Sequence, residues 1–462
     1  MAISPRNPTD LASVQRTFFG TGATLPYEFR MQQLELLERL FTENTDALCT
    51  ALYQDLRKPK QESLIAEIAL VLEEVRIARK KLKGWIKPRK QGTPLALWPA
   101  RSRTYFEPMG CVLIVGPWNY PVQLAFAPLV GALAAGCCAI LKPSELAPHC
   151  SALFSQLVAK YFKPEVLTVF EGAIPETTAL LEINFDYIFF TGSTPVGRVV
   201  MQAAAKNLTP VTLELGGKSP AIVAEDADLD LAARRIVWGK FYNAGQTCVA
   251  PDYLYVHEQV REAFLAKLHV AIDEQFGTDP QKSESYARII NSRNLQRLIA
   301  LIDPEKIHQG GKSDEKDLYL QPTLLTGVAW SDPVMKEEIF GPVLPVFGYS
   351  NLAEVFGTIN SHPKPLAAYF FSHSTDKQDQ FIQSIAFGGG CINDVLLHLG
   401  NPNLPFGGVG GSGMGSYHGE KSFLTFSHAK SVMLRGGFLD VSARYAPYTE
   451  AKTKFMRRIF KV

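Results

Sequence analysis

One cysteine of the chain stands among small and polar residues that would let its thiol react. Cys248 lies in "FYNAGQTCVAPDY" (241–253), which contains neither a histidine nor a second cysteine. As a thiolate it could act as a nucleophile if a distant part of the chain supplied a base. As a small apolar residue it could instead serve packing alone. The neighbours of Cys248 leave both interpretations open.

Two further segments are typical of turns that follow buried strands and could contact a dinucleotide. "FFTGSTPVG" (189–197) would place Gly192 and Ser193 at a helix N-terminus, where a pyrophosphate is favoured. In "ILKPSE" (140–145), a lysine and a glutamate just past a strand could hydrogen-bond a ribose. Neither segment has the G-x-G-x-x-G spacing, so a turn without a ligand explains each of them as well.

The elements that would position these residues alternate along the chain. Residues 26–84 carry helical periodicity, and the Pro-rich, basic residues 87–106 favour an exposed strand or arm. Short β-rich runs separated by helix-like stretches then extend from "GCVLIVGP" to "VTLELGG", and a second alternating series ends at "GGGCIND". This order predicts an α/β fold with a doubly wound parallel sheet, the usual support for a dinucleotide.

Length and composition restrict the class of protein further. The 462 residues are enough for two or three domains, and a net charge of +2 gives no reason to expect a nucleic-acid partner. The seven cysteines, an odd and scattered set, argue against a disulfide framework and for a reducing compartment. The N-terminus lacks the apolar core of a signal peptide, so we expect a cytoplasmic protein.

One apolar segment is long enough to cross a bilayer. Residues 122–141 contain no charge, but Pro128, Gly131 and Gly136 divide them, and the segment ends in a β-rich run followed by a turn. We therefore expect a buried helix that leads into a buried parallel strand.

No metal site is expected from the sequence. The histidines and cysteines do not fall at close ligand spacing, and the adjacent pair Cys137 and Cys138 lies in an apolar run. We expect His398 and His418 to be packing or pocket residues.

Seven short motifs follow one another along the chain: "GPWNYP" (116–121), "KPSE" (142–145), "FTGSTPVG" (190–197), "LELGGKSP" (213–220), "GQTCV" (245–249), "EEIFGPV" (337–343) and "LPFGGVGGSGMG" (404–415). They occur in the order found in the aldehyde dehydrogenases, which the chain resembles over nearly its whole length except the C-terminal tail. The short N-terminus and the run from "INDVLLHLG" to "SFLTFSH" resemble the class 3, or fatty aldehyde, branch.

The resemblance implies a domain organisation. A Rossmann-like dinucleotide-binding domain is expected over 1–86 and 108–212, and an α/β catalytic domain over 213–423. A small β oligomerisation arm and the C-terminal tail are expected over 87–107 and 424–462. It also implies a homodimer.

The resemblance also assigns catalytic roles. Cys248 is expected to be the nucleophile that forms a thiohemiacetal with the aldehyde and then, after hydride loss, a thioester. Glu214, in "LELGG", is expected to be the base that activates the hydrolytic water. Asn119, in "PWNYP", stabilises the developing oxyanion together with the backbone N–H of Cys248; a turn residue beside Pro121 is its alternative reading.

The cofactor is expected to be NAD or NADP. Glu338 matches the carboxylate that holds the nicotinamide ribose, although an ordinary surface charge would also fit a glutamate there, and Phe340 is expected near the nicotinamide ring. The residues that the resemblance implies for the cofactor are Trp118, Lys142, Ser144, Glu145, Gly192, Ser193, Gly197, Glu338 and Phe340. Glu145 would repel a 2′-phosphate that it faced, but class 3 relatives with this glutamate often accept both cofactors. We therefore expect both to bind, with NAD at least comparable to NADP.

The implied reaction is NAD(P)-dependent oxidation of medium- to long-chain or aromatic aldehydes to carboxylic acids. A coenzyme-A-acylating aldehyde dehydrogenase, or a related thioester-forming reductase, would not need a hydrolytic carboxylate, so Glu214 argues against both. A non-enzymatic structural protein on the same fold would tolerate loss of Cys248, Glu214 or Asn119. All three are present.

The C-terminal tail, which lies outside the resemblance, combines basic and apolar residues. From Thr449, "TEAKTKFMRRIFKV" carries five basic residues against one acid, Glu450. In a helix, Phe455 and Ile459 would align, as would Met456 and Phe460, giving an apolar stripe flanked by cations. A dimer-docking or pocket-covering segment and a peripheral membrane anchor both fit this pattern.

Overall fold

The structure is a computed structural model that describes residues 7–438 and 440–461. Its α-helices are α1 (Pro8–Gly20), α2 (Tyr27–Glu43), α3 (Thr45–Leu56), α4 (Lys60–Glu62), α5 (Leu70–Trp85), α6 (Gln123–Ala135), α7 (Pro148–Tyr161), α8 (Ile174–Leu181), α9 (Thr194–Ala205), α10 (Leu229–Phe241), α11 (Arg261–Phe276), α12 (Ser292–Ala300), α13 (Pro333–Lys336), α14 (Leu352–Asn360), α15 (Thr375–Ser384), α16 (Gly419–Thr425) and α17 (Glu450–Phe460). A π-helical segment, Ser63–Ala69, joins α4 to α5.

The strands are β1 (Arg89–Gln91), β2 (Arg101–Pro108), β3 (Cys111–Val115), β4 (Cys138–Lys142), β5 (Leu167–Val169), β6 (Tyr187–Thr191), β7 (Val211–Glu214), β8 (Pro220–Val223), β9 (Tyr253–His257), β10 (Ile307–Gln309), β11 (Ser313–Asp314), β12 (Tyr319–Leu320), β13 (Thr323–Leu325), β14 (Val343–Tyr349), β15 (Ala367–Phe371), β16 (Gly389–Ile392), β17 (Gly413–Met414) and β18 (Ser427–Leu434). Short 3₁₀ turns are Leu95–Leu97, Tyr242–Gly245, Glu258–Val260, Pro280–Lys282, Pro304–Lys306, Leu397–Gly400, Gly410–Ser412 and Ser442–Arg444.

The first large sheet has the strand order β17-β7-β6-β3-β4-β5. The five strands from β7 to β5 are parallel, and only β17 at the edge runs antiparallel. Strands β3, β4 and β6 are mainly apolar and wholly buried, although β4 ends in Lys142, because helices cover both faces of a parallel sheet. The predicted α/β fold is confirmed in this half of the chain.

The second large sheet has the order β10-β13-β14-β9-β8-β15-β16 and is parallel except for the pair β10–β13. It contains the second alternating series that the sequence predicted. The two sheets follow each other along the chain, with β7 ending the first series and β8 beginning the second. The strand β17 returns from far downstream to pair with β7. The exact domain boundaries stay a prediction.

A third sheet, β1-β2-β18, is antiparallel, and β2 pairs with β18 along eight residues of each strand. Most of its residues are exposed or half-buried. The expectation of an exposed strand within residues 87–106 is thereby confirmed, since β1 and most of β2 lie in this range.

The apolar segment 122–141 forms the buried helix α6 and then the buried strand β4. Gly136 ends the helix with a φ of +91°, and a Cβ there would lie 2.8 Å from the carbonyl oxygen of Thr24. Within the part of the chain that the structure describes, no helix is long and apolar enough to span a membrane. The expected buried helix and strand are confirmed.

Candidate active site

A cavity of about 1270 Å³ collects most of the residues expected to do chemistry. It lies where β3, β6 and β7 end, at the carboxyl edge of the first sheet, which is where open α/β sheets bind ligands. The expected residues that line it are Trp118, Asn119, Gly192, Ser193, Glu214, Cys248, Glu338 and Phe340. These residues come from five separate stretches of sequence, which therefore contribute to one site.

Cys248 is partly exposed to this cavity and follows a turn with unusual backbone. In Tyr242–Gly245, Asn243 and Ala244 have φ values of +53° and +51°, a left-handed conformation that side chains disfavour. Burial raises the pKa of the Cys248 thiol to about 12, and the charges of Glu338 and Glu214 act in the same direction. The resting form at neutral pH is therefore the thiol, and forming the nucleophile requires removal of its proton.

Glu214 is the last residue of β7 and is buried at the cavity wall. Neither of its carboxylate oxygens has a hydrogen-bond partner within residues 7–438 and 440–461. Burial raises the pKa of this carboxyl group well above its usual value. A buried acid without partners is a strong candidate for proton transfer, because ordinary structural carboxylates are paired.

Asn119 is buried in the loop that follows β3. Its side-chain amide donates to the carbonyl oxygen of Gln246 at 3.1 Å, which ties it to the loop carrying Cys248. Its own backbone carbonyl accepts from Lys58 Nζ and from Asn243 Nδ2, both at 2.9 Å. The amide has two N–H groups, so one can serve a ligand in the cavity while the other holds the loop.

Glu338 and Phe340 come from the loop between α13 and β14. Burial raises the pKa of Glu338 to about 8, and the charge of Asp252 acts in the same direction. A Cβ at Gly216 would lie 1.8 Å from Glu338 Oε2, so only glycine lets this carboxyl approach the backbone. The rings of Trp118 and Phe340 meet edge to face with centroids 5.3 Å apart.

Four expected cofactor residues do not line this cavity. Lys142 ends β4 and is buried, with Nζ donating to the carbonyl oxygen of Pro143 at 2.6 Å and lying 3.8 Å from Glu145 Oε2. Ser144 Oγ accepts from the N–H of Leu146. These residues lie at the same sheet edge, since β4 pairs with β3.

Gly197, the fourth of these residues, lies within α9 and has a packing reason to be glycine. A Cβ at this position would lie 2.6 Å from the side chain of Leu215. The glycine therefore lets the helix approach the segment that follows β7.

A second, mainly apolar cavity of about 840 Å³ reaches Cys248 from another direction. Its walls include Leu124, Trp238, Leu396 and Phe406, and Cys248, Leu124 and Phe406 line both cavities. We call this cavity the apolar funnel. Of its residues, sequence reasoning singled out only Cys248 and His418, the latter as a packing or pocket residue, because the others come from segments far apart in the chain.

The two histidines in the motif-rich region lie near the funnel. His418 lines it and is buried, with Nδ1 2.8 Å from Glu74 Oε1. His398 Nδ1 is 3.6 Å from Cys391 Sγ, and burial lowers the pKa of His398 to about 4. Among the described residues, no group of three or more His, Cys, Asp or Glu side chains could hold a metal ion.

Sequence reasoning also missed polar residues around the cavity of about 1270 Å³, which we call the cofactor-side cavity because it contains residues expected to bind the cofactor. Asn294 and Arg297, on α12, line it, and Arg297 Nη2 donates to the carbonyl oxygen of Ile339 at 2.6 Å. Asp252 accepts from the N–H of Ile339 at 2.9 Å and pairs with Lys218. Lys218 and Asp252 stood in quoted segments, but their charges alone do not reveal that the two residues hold a loop.

Comparison with known proteins gives a consistent result. The model of the aldehyde dehydrogenase family matches residues 12–432. The 4,4'-diaponeurosporen-aldehyde dehydrogenase of Staphylococcus aureus (strain NCTC 8325 / PS 47) is 46% identical over 448 residues, covering 96% of this chain and 97% of the relative. The mouse "Aldehyde dehydrogenase, dimeric NADP-preferring" is 44% identical over 451 residues, covering 98% and 99%.

Among solved structures, one described as the substrate-bound state of Staphylococcus aureus AldH superposes with a TM-score of 0.95. It is 45% identical and covers 98% of this chain and 99% of its own. The fold that the sequence motifs implied is confirmed by this similarity.

Proposed function

The chain belongs to the aldehyde dehydrogenase family, in its class 3 branch, and we propose that it converts apolar medium- to long-chain or aromatic aldehydes to carboxylic acids through a thioester on Cys248. The enzyme is an oxidoreductase acting on aldehydes, and it uses NAD(P). One observation carries the proposal: the cavity that contains Glu214 and Asn119 and the apolar funnel meet at Cys248.

In the proposed mechanism, the thiol of Cys248 releases its proton to water in the cavity, and the resulting thiolate adds to the aldehyde carbon. The oxygen that becomes negatively charged accepts hydrogen bonds from the Asn119 amide and from the backbone N–H of Cys248. After hydride loss leaves a thioester, Glu214 takes a proton from water, which attacks the thioester carbonyl. The C–S bond then breaks, the carboxylic acid departs, and the thiolate takes back the proton held by Glu214, which restores the thiol. Glu214 is suited to this role because no partner restrains its carboxyl group within the described residues.

The cofactor-side cavity fits a dinucleotide. Gly192 and Ser193 precede the N-terminus of α9, which favours a pyrophosphate, and Gly216 leaves room for Glu338 at a ribose. When bound, the nicotinamide supplies the hydride acceptor. The Glu145 carboxylate lies 3.8 Å from the Lys142 ammonium. Because the Glu145 side chain is partly exposed, it can turn away from a 2′-phosphate. We therefore propose that both NAD and NADP are used, although one relative is named NADP-preferring.

The substrate class rests on the apolar funnel. Its walls of aliphatic and aromatic side chains would bury a hydrocarbon tail or an aromatic ring while the aldehyde group reaches Cys248. A relative that covers almost the whole chain is named for an aldehyde, 4,4'-diaponeurosporen-aldehyde. An acylating enzyme would instead transfer the acyl group to coenzyme A and would not need Glu214. A structural protein would need neither a funnel nor a reactive thiol.

A panel of aldehydes of increasing chain length, with added benzaldehyde, tests this proposal. Each buried methylene can add up to about 0.8 kcal/mol, so kcat/KM should rise a few-fold per methylene until the funnel is filled. Ala66 lines the funnel, so Ala66→Leu should narrow the space for the substrate. In this variant, kcat/KM for the longest aldehydes should fall about tenfold relative to kcat/KM for the shortest. Ala69→Leu is the matched control, because Ala69 lies exposed on the same helical segment.

The same panel distinguishes the alternatives. We expect the free acid as product with and without coenzyme A, and turnover with both NAD and NADP, NAD being at least comparable. Formation of an acyl-coenzyme A would favour the acylating class. Chain-length-independent kcat/KM, or no turnover with saturating NAD, would contradict the substrate or the cofactor proposal respectively.

We also propose that the enzyme is a cytoplasmic homodimer that uses the β1-β2-β18 sheet as its oligomerisation arm. The exposed sheet and the mouse relative named "dimeric" support this assembly. The seven cysteines are free thiols, as expected in a reducing compartment.

The C-terminal tail supports a further proposal, peripheral contact with an anionic membrane. Its last helix, α17, begins after the cap residue Thr449 and buries none of its residues. Phe455 is 48% exposed and Phe460 is 50% exposed, beside the cations of the helix. Such a surface suits a membrane interface, although a partner subunit would also cover it.

Deleting residues 450–462 should reduce sedimentation with anionic liposomes at low salt and leave turnover of a short soluble aldehyde unchanged. Arg457→Gln/Arg458→Gln should have a similar effect, whereas Lys80→Gln/Lys81→Gln, which removes two exposed charges from α5, should not. Equal recovery of full-length and truncated protein would contradict the membrane proposal. A loss of the dimer on truncation would assign the tail to docking.

A further inference from the structure

A buried ionic cluster lies behind the loop that carries Asn119. It consists of Lys58, Glu62 and Glu67, from the helical region near the N-terminus, and the side chains of Lys58 and Glu67 are completely buried and paired with each other. Burial raises the pKa of Glu62 to about 8 and also raises the pKa of Glu67, while the ammonium of Lys58 acts in the opposite direction. Charges so deeply buried are expensive, so their contacts need explanation.

The cluster holds the backbone on both sides of the site. Lys58 Nζ donates to the carbonyl oxygen of Asn119 at 2.9 Å and lies 4.0 Å from the centre of the Tyr120 ring. Glu67 Oε2 accepts from the N–H groups of Val122 and Gln123, at 3.0 and 2.9 Å. The loop from β3 to α6 is thus fixed at its middle by a cation and at its end by a carboxylate.

Glu62, the third member of the cluster, contacts the loop that leads to Cys248. Glu62 Oε2 accepts from the N–H of Asn243, the first of the two residues with left-handed backbone, at 3.0 Å. The side chain of Asn243 in turn donates to the carbonyl oxygens of Asn119 and Gln246. The carbonyl of Asn119 therefore receives one hydrogen bond from the ionic cluster and one from the loop that leads to Cys248.

From this geometry we infer that Lys58 is a positioning residue for oxyanion stabilisation: it fixes the backbone of Asn119 so that the amide side chain points at the oxygen of a substrate bound to Cys248. The inference rests on the role proposed above for Asn119. Lys58 itself does not line either cavity and so contacts no reacting atom. Its effect must pass through the orientation of the amide, and small errors of orientation are costly at a reacting centre.

The test is a double-mutant cycle between Lys58→Met and Asn119→Ala, measured as kcat and KM for a short aldehyde. Loss of one oxyanion donor lowers kcat by about 10²–10³, and we expect Lys58→Met to lower it by about tenfold or more with little change in KM. In the Asn119→Ala background, Lys58→Met should have almost no further effect, because the amide that it positions is gone. Lys60→Met, which breaks an exposed ion pair nearby, is the matched control and should leave kcat unchanged.

A second variant separates positioning from folding. Lys58→Met leaves Glu67 as a buried uncompensated carboxylate, whereas Lys58→Met/Glu67→Gln removes both charges and keeps an acceptor for the start of α6. The double variant should bind NAD normally and retain the loss in kcat. The inference would be overturned if the fold-losses in kcat of Lys58→Met and Asn119→Ala multiplied fully in the double variant. Wild-type kcat in Lys58→Met/Glu67→Gln would also overturn it. An unchanged kcat in Asn119→Ala alone would instead refute the oxyanion role.

Discussion

Cys248→Ala is expected to abolish aldehyde oxidation, lowering kcat/KM by at least about three orders of magnitude, because the proposed covalent intermediate forms on the Cys248 thiol. Binding of NAD should persist, since most residues that line the cavity are unchanged. This binding can be measured by quenching of protein fluorescence. Mass spectrometry of wild-type enzyme quenched during turnover should show an acyl adduct on the peptide containing Cys248.

The matched control for this variant is Cys391→Ala. Cys391 is also free and partly exposed, but it lies on β16 and lines neither cavity. We expect it to retain wild-type turnover. If Cys248→Ala kept activity within about tenfold of wild type, the thioester mechanism would be wrong.

Glu214→Gln is expected to separate the two halves of the reaction. Formation of the thioester should still give a pre-steady-state burst of reduced cofactor, while steady-state turnover should fall by about 10²–10⁴ because the hydrolytic water loses its base. Rapid mixing followed by absorbance of reduced cofactor measures both phases. A variant slowed equally in burst and steady state would indicate that Glu214 activates or positions the thiol instead.

The raised pKa of Glu214 adds a pH signature. A base acts only when deprotonated, so deacylation in the wild type should still accelerate as pH rises above the range in which an ordinary carboxyl group titrates, and the glutamine variant should lose this rise. The folded state also binds the Glu214 proton more tightly than the unfolded state does. This contribution to stability is present below the unfolded pKa and is lost as pH rises. Glu214→Gln should therefore weaken the decrease of Tm with increasing pH.

The sequence was sufficient for the parts of the site that belong to motifs. Cys248, Glu214 and Asn119 were expected together, and the structure brings them to one cavity. Alternating apolar runs were enough to predict the two parallel series, because buried strands of such sheets are almost entirely apolar.

The parts that could not be predicted depend on burial and on distant contacts. Lys58, Glu62 and Glu67 are spaced like the charges of a solvated helix, and only the fold shows that Lys58 meets Asn119 in another segment. The apolar funnel was hidden for the same reason. Single side chains such as Trp238 come from helices whose own pattern predicts only packing, and no local spacing marks which of them face an empty space.

The antiparallel pairing of β17 with β7 has a consequence for biosynthesis. Gly413 stands opposite Glu214, so the strand that closes this edge of the first sheet is translated long after the rest of that sheet. Until it emerges from the ribosome, the backbone groups of β7 form an open edge, the kind of surface on which other chains can add a strand. A nascent chain, or one that ends before β17, therefore exposes the unpaired edge of β7. Strand β17 is thus needed to protect the sheet from aggregation as well as to complete the site.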